Sequence, residues 1–145
     1  MNIKKLALNI SVPLIIGIIV SLFINTNDYK TLIQPVLSPP GWLFPVVWTI
    51  LYILMGISTY VVSKKEKVPF IYYINLFFNA LWSIIFFTLK LRGFAIIWLV
   101  TLIIIIIFMI RDFYKIDKKA GLLQIPYLIW CLFALYLNTG IYILN

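Results

Sequence analysis

A chain of 145 residues is about one domain long, and 64% of it is hydrophobic against 11% charged, for a mean hydropathy of +1.10. A small water-soluble domain keeps too much surface exposed to hide that much apolar matter, so lipid is the solvent that fits. The net charge of +8 does not point to nucleic acid, because the basic residues fall between apolar runs rather than along one face.

A membrane-spanning helix needs about 20 mostly apolar residues, and five such runs are visible, at roughly 6–25, 42–62, 69–89, 94–111 and 121–144. They predict an all-α integral membrane bundle of five transmembrane helices, forming a single domain over 1–145. The first run follows Lys4 and Lys5, but it is too long for the apolar core of a signal peptide and no small-x-small cleavage site follows it; it reads as an uncleaved first span. A polar loop, 26–41, comes next and closes on Ser38-Pro39-Pro40-Gly41. Those residues predict a rigid turn that starts the second helix, where a missing proline N–H costs nothing. The second span then carries Trp42, Trp48 and Tyr52, with Trp48 about 9 Å deeper than Trp42 at the helical rise. SKKEKV at 63–68, KLRG at 90–93 and RDFYKIDKKA at 111–120 separate the remaining spans.

Loop charges set the expected orientation. Lys4, Lys5, Lys64, Lys65, Lys67, Arg111, Lys115, Lys118 and Lys119 collect on one side, against Lys30, Lys90 and Arg92 on the other. Nine against three puts the N-terminus in the cytoplasm, with the C-terminus and the 26–41 loop outside.

The chemistry available is narrow. The absence of histidine removes the usual general base, zinc ligand and haem axial ligand together, and no metal site or resident cofactor is expected. The lone cysteine, Cys131, excludes an intramolecular disulfide and reads as a small buried hydrophobe. No Asp, Glu, Lys or Arg lies deep in a span, which argues against proton-coupled transport. There is no paired carboxylate, no serine–histidine set and no glycine-rich phosphate loop, so no conventional catalytic residue is at hand.

What the spans do hold is amides and indoles at helical spacing. NLFFNALWSIIFF places Asn75, Asn79, Trp82, Ser83 and Phe86 on one stripe of the third span. PYLIWCLFALYLN places Pro126, Trp130, Ala134 and Asn138 on one stripe of the fifth. Packing between helices explains either stripe alone, since membrane asparagines commonly bond across helices for about 1 kcal/mol. Trp42 equally suits the interfacial aromatic belt. Yet Trp48 and Tyr52, Trp82 and Phe86, and Ala134, Leu137 and Asn138 all fall in the same half of the membrane, beneath the 26–41 loop. An apolar cavity with a few polar groups is the usual chemistry of a small-molecule site.

SPPGWLFPVVWTILYILMG, NLFFNALWSIIFF and PYLIWCLFALYLN, in that order on five spans, resemble the translocator protein or tryptophan-rich sensory protein family over essentially the whole chain. The short chain without extension is what a bacterial member, in the cell membrane, would show. The resemblance implies a five-helix bundle, usually a homodimer, whose pocket lies in the outer half under the first loop. It implies ligands such as protoporphyrin and haem-type tetrapyrroles, drug-like benzodiazepines and isoquinoline carboxamides, and, in animal members, sterols. Carried over by motif, the pocket would comprise Trp42, Phe44, Val47, Trp48, Tyr52, Asn79, Trp82, Trp130, Phe133, Ala134, Leu137 and Asn138. The proposed cholesterol pattern of animal members needs a basic residue after its tyrosine; here Leu137 and Tyr142 are followed only by ILN, which argues against sterol recognition there. The expected function is a membrane receptor or sensor for tetrapyrroles, metal-free porphyrin above all. The alternatives are light-dependent porphyrin degradation, with Trp48 or Trp130 as the reacting side chain, and passive carriage of porphyrin or lipid.

Overall fold

In the computed structural model, which describes residues 2–145, every regular element is helical. Helix α1 spans Ile3–Ser21, α2 Leu43–Ser63, α3 Ile71–Ser83, α4 Arg92–Ile116, α5 Lys118–Leu123 and α6 Ile125–Leu144. A single 3-10 turn, Tyr29–Thr31, sits in the loop between α1 and α2, and a π-helical turn, Ile84–Thr88, prolongs α3. Five stretches are long and apolar enough to cross a membrane: α1, α2, α3 with its extension, α4, and α5 with α6. The chain is therefore an all-α, multi-pass integral membrane protein.

The helix limits differ from the apolar runs for local reasons. The first run extends to Asn25, but α1 ends at Ser21. Beyond it, Thr88 Oγ1 donates to the Phe23 carbonyl at 2.7 Å and accepts the Asn25 N–H at 3.2 Å, drawing the chain off the helix axis. Helix α4 continues past Arg111 to Ile116, because charge marks the exit from lipid and not the end of helical hydrogen bonding. Asp117 then turns extended and accepts the N–H groups of Lys119 and Ala120 at 2.9 and 3.3 Å, capping α5. The last span breaks at Gln124, and Pro126 follows in the first turn of α6, where its ring costs no hydrogen bond.

The packing is tightest at the end that holds the α2–α3 turn and the α4–α5 junction, hereafter the closed end. Helix α1 packs on α2 and α3, α3 on α4, α4 on α5 and α6, and α2 on α5. A Cβ on Gly56 would stand 2.3 Å from Ile10 Cα, so α1 and α2 touch backbone to backbone there. Gly121 meets the Tyr114 backbone in the same way, at 2.8 Å from its Cα. Ser58 Oγ donates to the Ala120 carbonyl at 2.7 Å, and Lys65 pairs with Asp117 at 2.6 Å. Along α4, Leu99, Leu102, Ile106, Met109 and Phe113 are all buried, a ridge with alternating steps of three and four residues that fills the bundle axis. Ile97, Ile104 and Ile107 on the other face are exposed, as lipid-facing residues should be. Helix α1 buries only Pro13 and is the outermost helix.

Candidate functional site

At the opposite end the helices part around a cavity of about 790 Å³, within the usual size of a small-molecule site. Its geometry follows from α2. Phe44, Trp48 and Tyr52 recur every four residues and share one face, turned into the bundle. Pro45 and Thr49 sit toward the side of α2 that carries Gly56, the side facing α1. At Gly56 the two backbones touch; at Gly17 a Cβ would stand 2.6 Å from the Tyr52 ring, so a whole ring separates them; at Pro45 and Thr49 both residues are exposed. The helices diverge toward the loop end, and the cavity occupies the gap.

The walls are aromatic. Trp48 stacks on Tyr52 with centroids 5.7 Å apart and meets Trp130 edge-on at 6.5 Å. Phe44 also meets Trp130 edge-on, at 5.8 Å. From α3, Trp82 stacks on Phe86 at 5.4 Å, within the π-helical turn that brings Phe86 and Phe87 to the wall.

Most polar groups around the cavity are already engaged by the protein. Beneath the floor, the Tyr52 hydroxyl donates to Asn79 Oδ1 at 2.8 Å, and Asn79 Nδ2 donates to the Tyr127 hydroxyl at 2.8 Å. Tyr127 in turn donates to Asn75 Oδ1 at 2.6 Å. Trp82 Nε1 donates to Asn138 Oδ1 at 3.1 Å, and Asn138 Nδ2 donates to the Arg92 carbonyl at 3.0 Å. The indole N–H of Trp130 is buried and has no partner among the described residues. Such a cavity offers shape and aromatic contact more than hydrogen bonds.

The loop covers the cavity. Asp28 accepts from Arg92 Nη2 at 2.8 Å, and the Arg92 guanidinium also lies over the Phe86 ring at 5.3 Å. That guanidinium holds the Asp28 carboxyl below the ordinary carboxylate range. Tyr29 seats its ring edge-on against Phe86 and Phe87, at 6.0 and 5.1 Å, and burial pushes its phenol pKa up. Asn145 exchanges two 3.0 Å hydrogen bonds with the Ile33 backbone, the Tyr136 hydroxyl donates to the Val36 carbonyl, and Pro35 rests on Gly140. Leu37 adopts a left-handed φ of 72°, a strained turn for a branched residue. All these ties run to α3, α4 and α6. Among the described residues no hydrogen bond or ion pair fastens the loop to the flanks of α1 or α2.

Of the twelve residues expected from the sequence, Phe44, Trp48, Tyr52, Trp82, Trp130, Ala134, Leu137 and Asn138 border the cavity. Asn79 lies under its floor, with both ends of its amide bonded. Trp42 is 68% exposed at the start of α2, a position suited to the interfacial belt. Val47 packs into the core, and Phe133 sits behind Trp130, between it and Tyr136, at 5.5 and 6.0 Å. The sequence reading missed the contribution of α1 (Leu14, Gly17, Ile18, Ser21) and of the loop side chains Tyr29, Lys30 and Gln34. Tyr127 was also missed, although a signal existed: Tyr127, Cys131, Ala134 and Asn138 follow steps of four, three and four, and all four are buried.

Comparison with known proteins gives one family and several relatives. The TspO/MBR family model matches residues 9–144. A tryptophan-rich protein TspO from Archaeoglobus fulgidus is 38% identical, covering 100% of this chain and 99% of its own length. Its counterpart from Chlorobaculum tepidum is 39% identical, covering 99% and 98%. A translocator protein from Bos taurus is 30% identical over 76% of this chain and 70% of its own.

Proposed function

This chain belongs to the TspO/MBR family, and on that premise we propose that it is a membrane receptor or sensor whose aromatic cavity binds tetrapyrroles of the protoporphyrin type. The observation that carries the reading is the wall itself. A space of about 790 Å³ is bounded by the indoles of Trp48, Trp82 and Trp130, while nearby amides are already bonded to the protein. Flat indole and phenyl faces favour a large flat π-system, each good contact adding about 1 kcal/mol beyond its buried area. The unpartnered Trp130 N–H would find an acceptor in a ring or side-chain atom of such a ligand. The excess of basic residues at the closed end supports a cytoplasmic position for that end, with the lid facing outward. Drug-sized aromatic amides would fill the same space by the same contacts.

The test is a titration of the purified chain in dodecyl maltoside with protoporphyrin, in the dark, read by tryptophan fluorescence and porphyrin absorbance. The expected result is saturable quenching, weakened about fivefold in Trp130→Phe. Linear, non-saturating quenching equal to that of free tryptophan in micelles would sink the reading.

A further inference from the structure

We propose that Lys30 is an anchor for a carboxylate, so that the cavity prefers flat apolar ligands with an acidic edge over neutral ones of the same shape; this rests on the aromatic-ligand reading above. Among the described residues lining the cavity, Lys30 is the one charged side chain. It is exposed and belongs to the 3-10 turn of the lid, at the mouth. Its neighbours are fixed: Asp28 is held by Arg92 at 2.8 Å, and Tyr29 is seated on Phe86 and Phe87. The turn therefore presents Lys30 from a pinned backbone.

Among the described residues, no acidic side chain pairs with the ammonium group. The acidic side chains number four, and three of them, Glu66, Asp112 and Asp117, belong to the closed end. The fourth, Asp28, is engaged, and none of the ion pairs formed by the described residues involves Lys30. Beside it, the Tyr29 hydroxyl donates to Gln34 Oε1 at 3.2 Å. An ammonium on a flexible four-carbon stem at the rim of an apolar cavity is suited to a carboxylate that stays in water while its ring system is buried. A flat body between the indoles with its acidic edge at the mouth meets both demands together.

The experiment compares an acid with its ester. Wild type, Lys30→Gln, Lys30→Glu and Lys30→Arg are titrated in dodecyl maltoside with protoporphyrin, which carries two carboxylates, and with its dimethyl ester. The same four proteins are titrated with 1-pyrenebutyrate and its methyl ester. Lys30→Gln is expected to weaken acid binding about fivefold, the scale of an exposed ion pair, and to leave ester binding unchanged. Lys30→Glu should weaken it further, and Lys30→Arg should restore it. Equal acid affinities in wild type, Lys30→Gln and Lys30→Glu for both probe pairs would overturn the anchor. If neither porphyrin binds but pyrenebutyrate shows the Lys30-dependent preference, the anchor stands and the tetrapyrrole reading falls.

Discussion

The two ends of the bundle solve the same packing problem in opposite ways. At the closed end, Gly56 and Gly121 let backbones meet, and Ser58 bonds the Ala120 carbonyl. At the loop end the same two helices are held apart, first by the Tyr52 ring and then by open space. In lipid, helices gain nothing from hiding apolar surface from one another, so contact depends on close fit. Small residues supply that fit at one end. Bulky aromatics withhold it at the other, and the result is a wedge-shaped opening with a fixed apex.

The apex is the place to break that contrast. Gly56→Ala should have the largest effect, about 3 kcal/mol, because the added methyl meets the Ile10 backbone and cannot be turned aside. Thermal unfolding in detergent measures it, and Gly41→Ala, with nothing near its Cβ, is the matched control. Next comes the polar layer between apex and cavity. Tyr127→Phe leaves Asn75 Oδ1 and Asn79 Nδ2 unpaired and should cost about 2 kcal/mol in the same assay. A change under 0.5 kcal/mol would mean that the layer is not what stiffens the floor.

At the loop end the effect is on the lid and not on global stability. Asp28→Asn should speed proteolysis within 26–41 and leave the unfolding midpoint unchanged. Acid should act in the same direction. Arg92 lowers the Asp28 pKa, so the pair contributes fully above the ordinary carboxylate range and is lost as the pH falls through the lowered value. Lid protection that persists unchanged to pH about 2 would break this assignment. The smallest effect is expected at Gln124, which is fully buried with both side-chain polar atoms unpartnered. Gln124→Met should be neutral or stabilising by less than about 1 kcal/mol, since it removes an unsatisfied amide without opening a large void.

The five spans were legible because bilayer thickness fixes the length of an apolar run, and the charges between runs are hard to mistake. Their ends were less so. Leu22, Phe23 and Ile24 are as apolar as the helix before them, and only the distant Thr88 hydroxyl explains why the chain leaves the axis there. The aromatic wall could be read from Trp48, Trp82 and Trp130, each on a helix with clear periodicity. Asn79 illustrates the limit: its depth was readable, but not that Tyr52 and Tyr127 would use up its amide. The share of α1 in the wall had no signature, because Leu14 and Ile18 look like any lipid-facing residues. Lys30 looked like a loop charge and nothing more until the lid was seen to fold over the opening.

The lid is fastened along α3, α4 and α6, while on the other flank the wall includes Ile18, Pro45 and Thr49, which are exposed on helices that cross the membrane. Under the proposed function, an apolar ligand would meet this protein from solution in the bilayer, where partitioning would concentrate it far above its aqueous level. Its occupancy is then governed by moles of ligand per mole of lipid. Binding constants expressed in aqueous concentration will drift with the amount of membrane in the assay, and those expressed as mole fraction in lipid will hold constant.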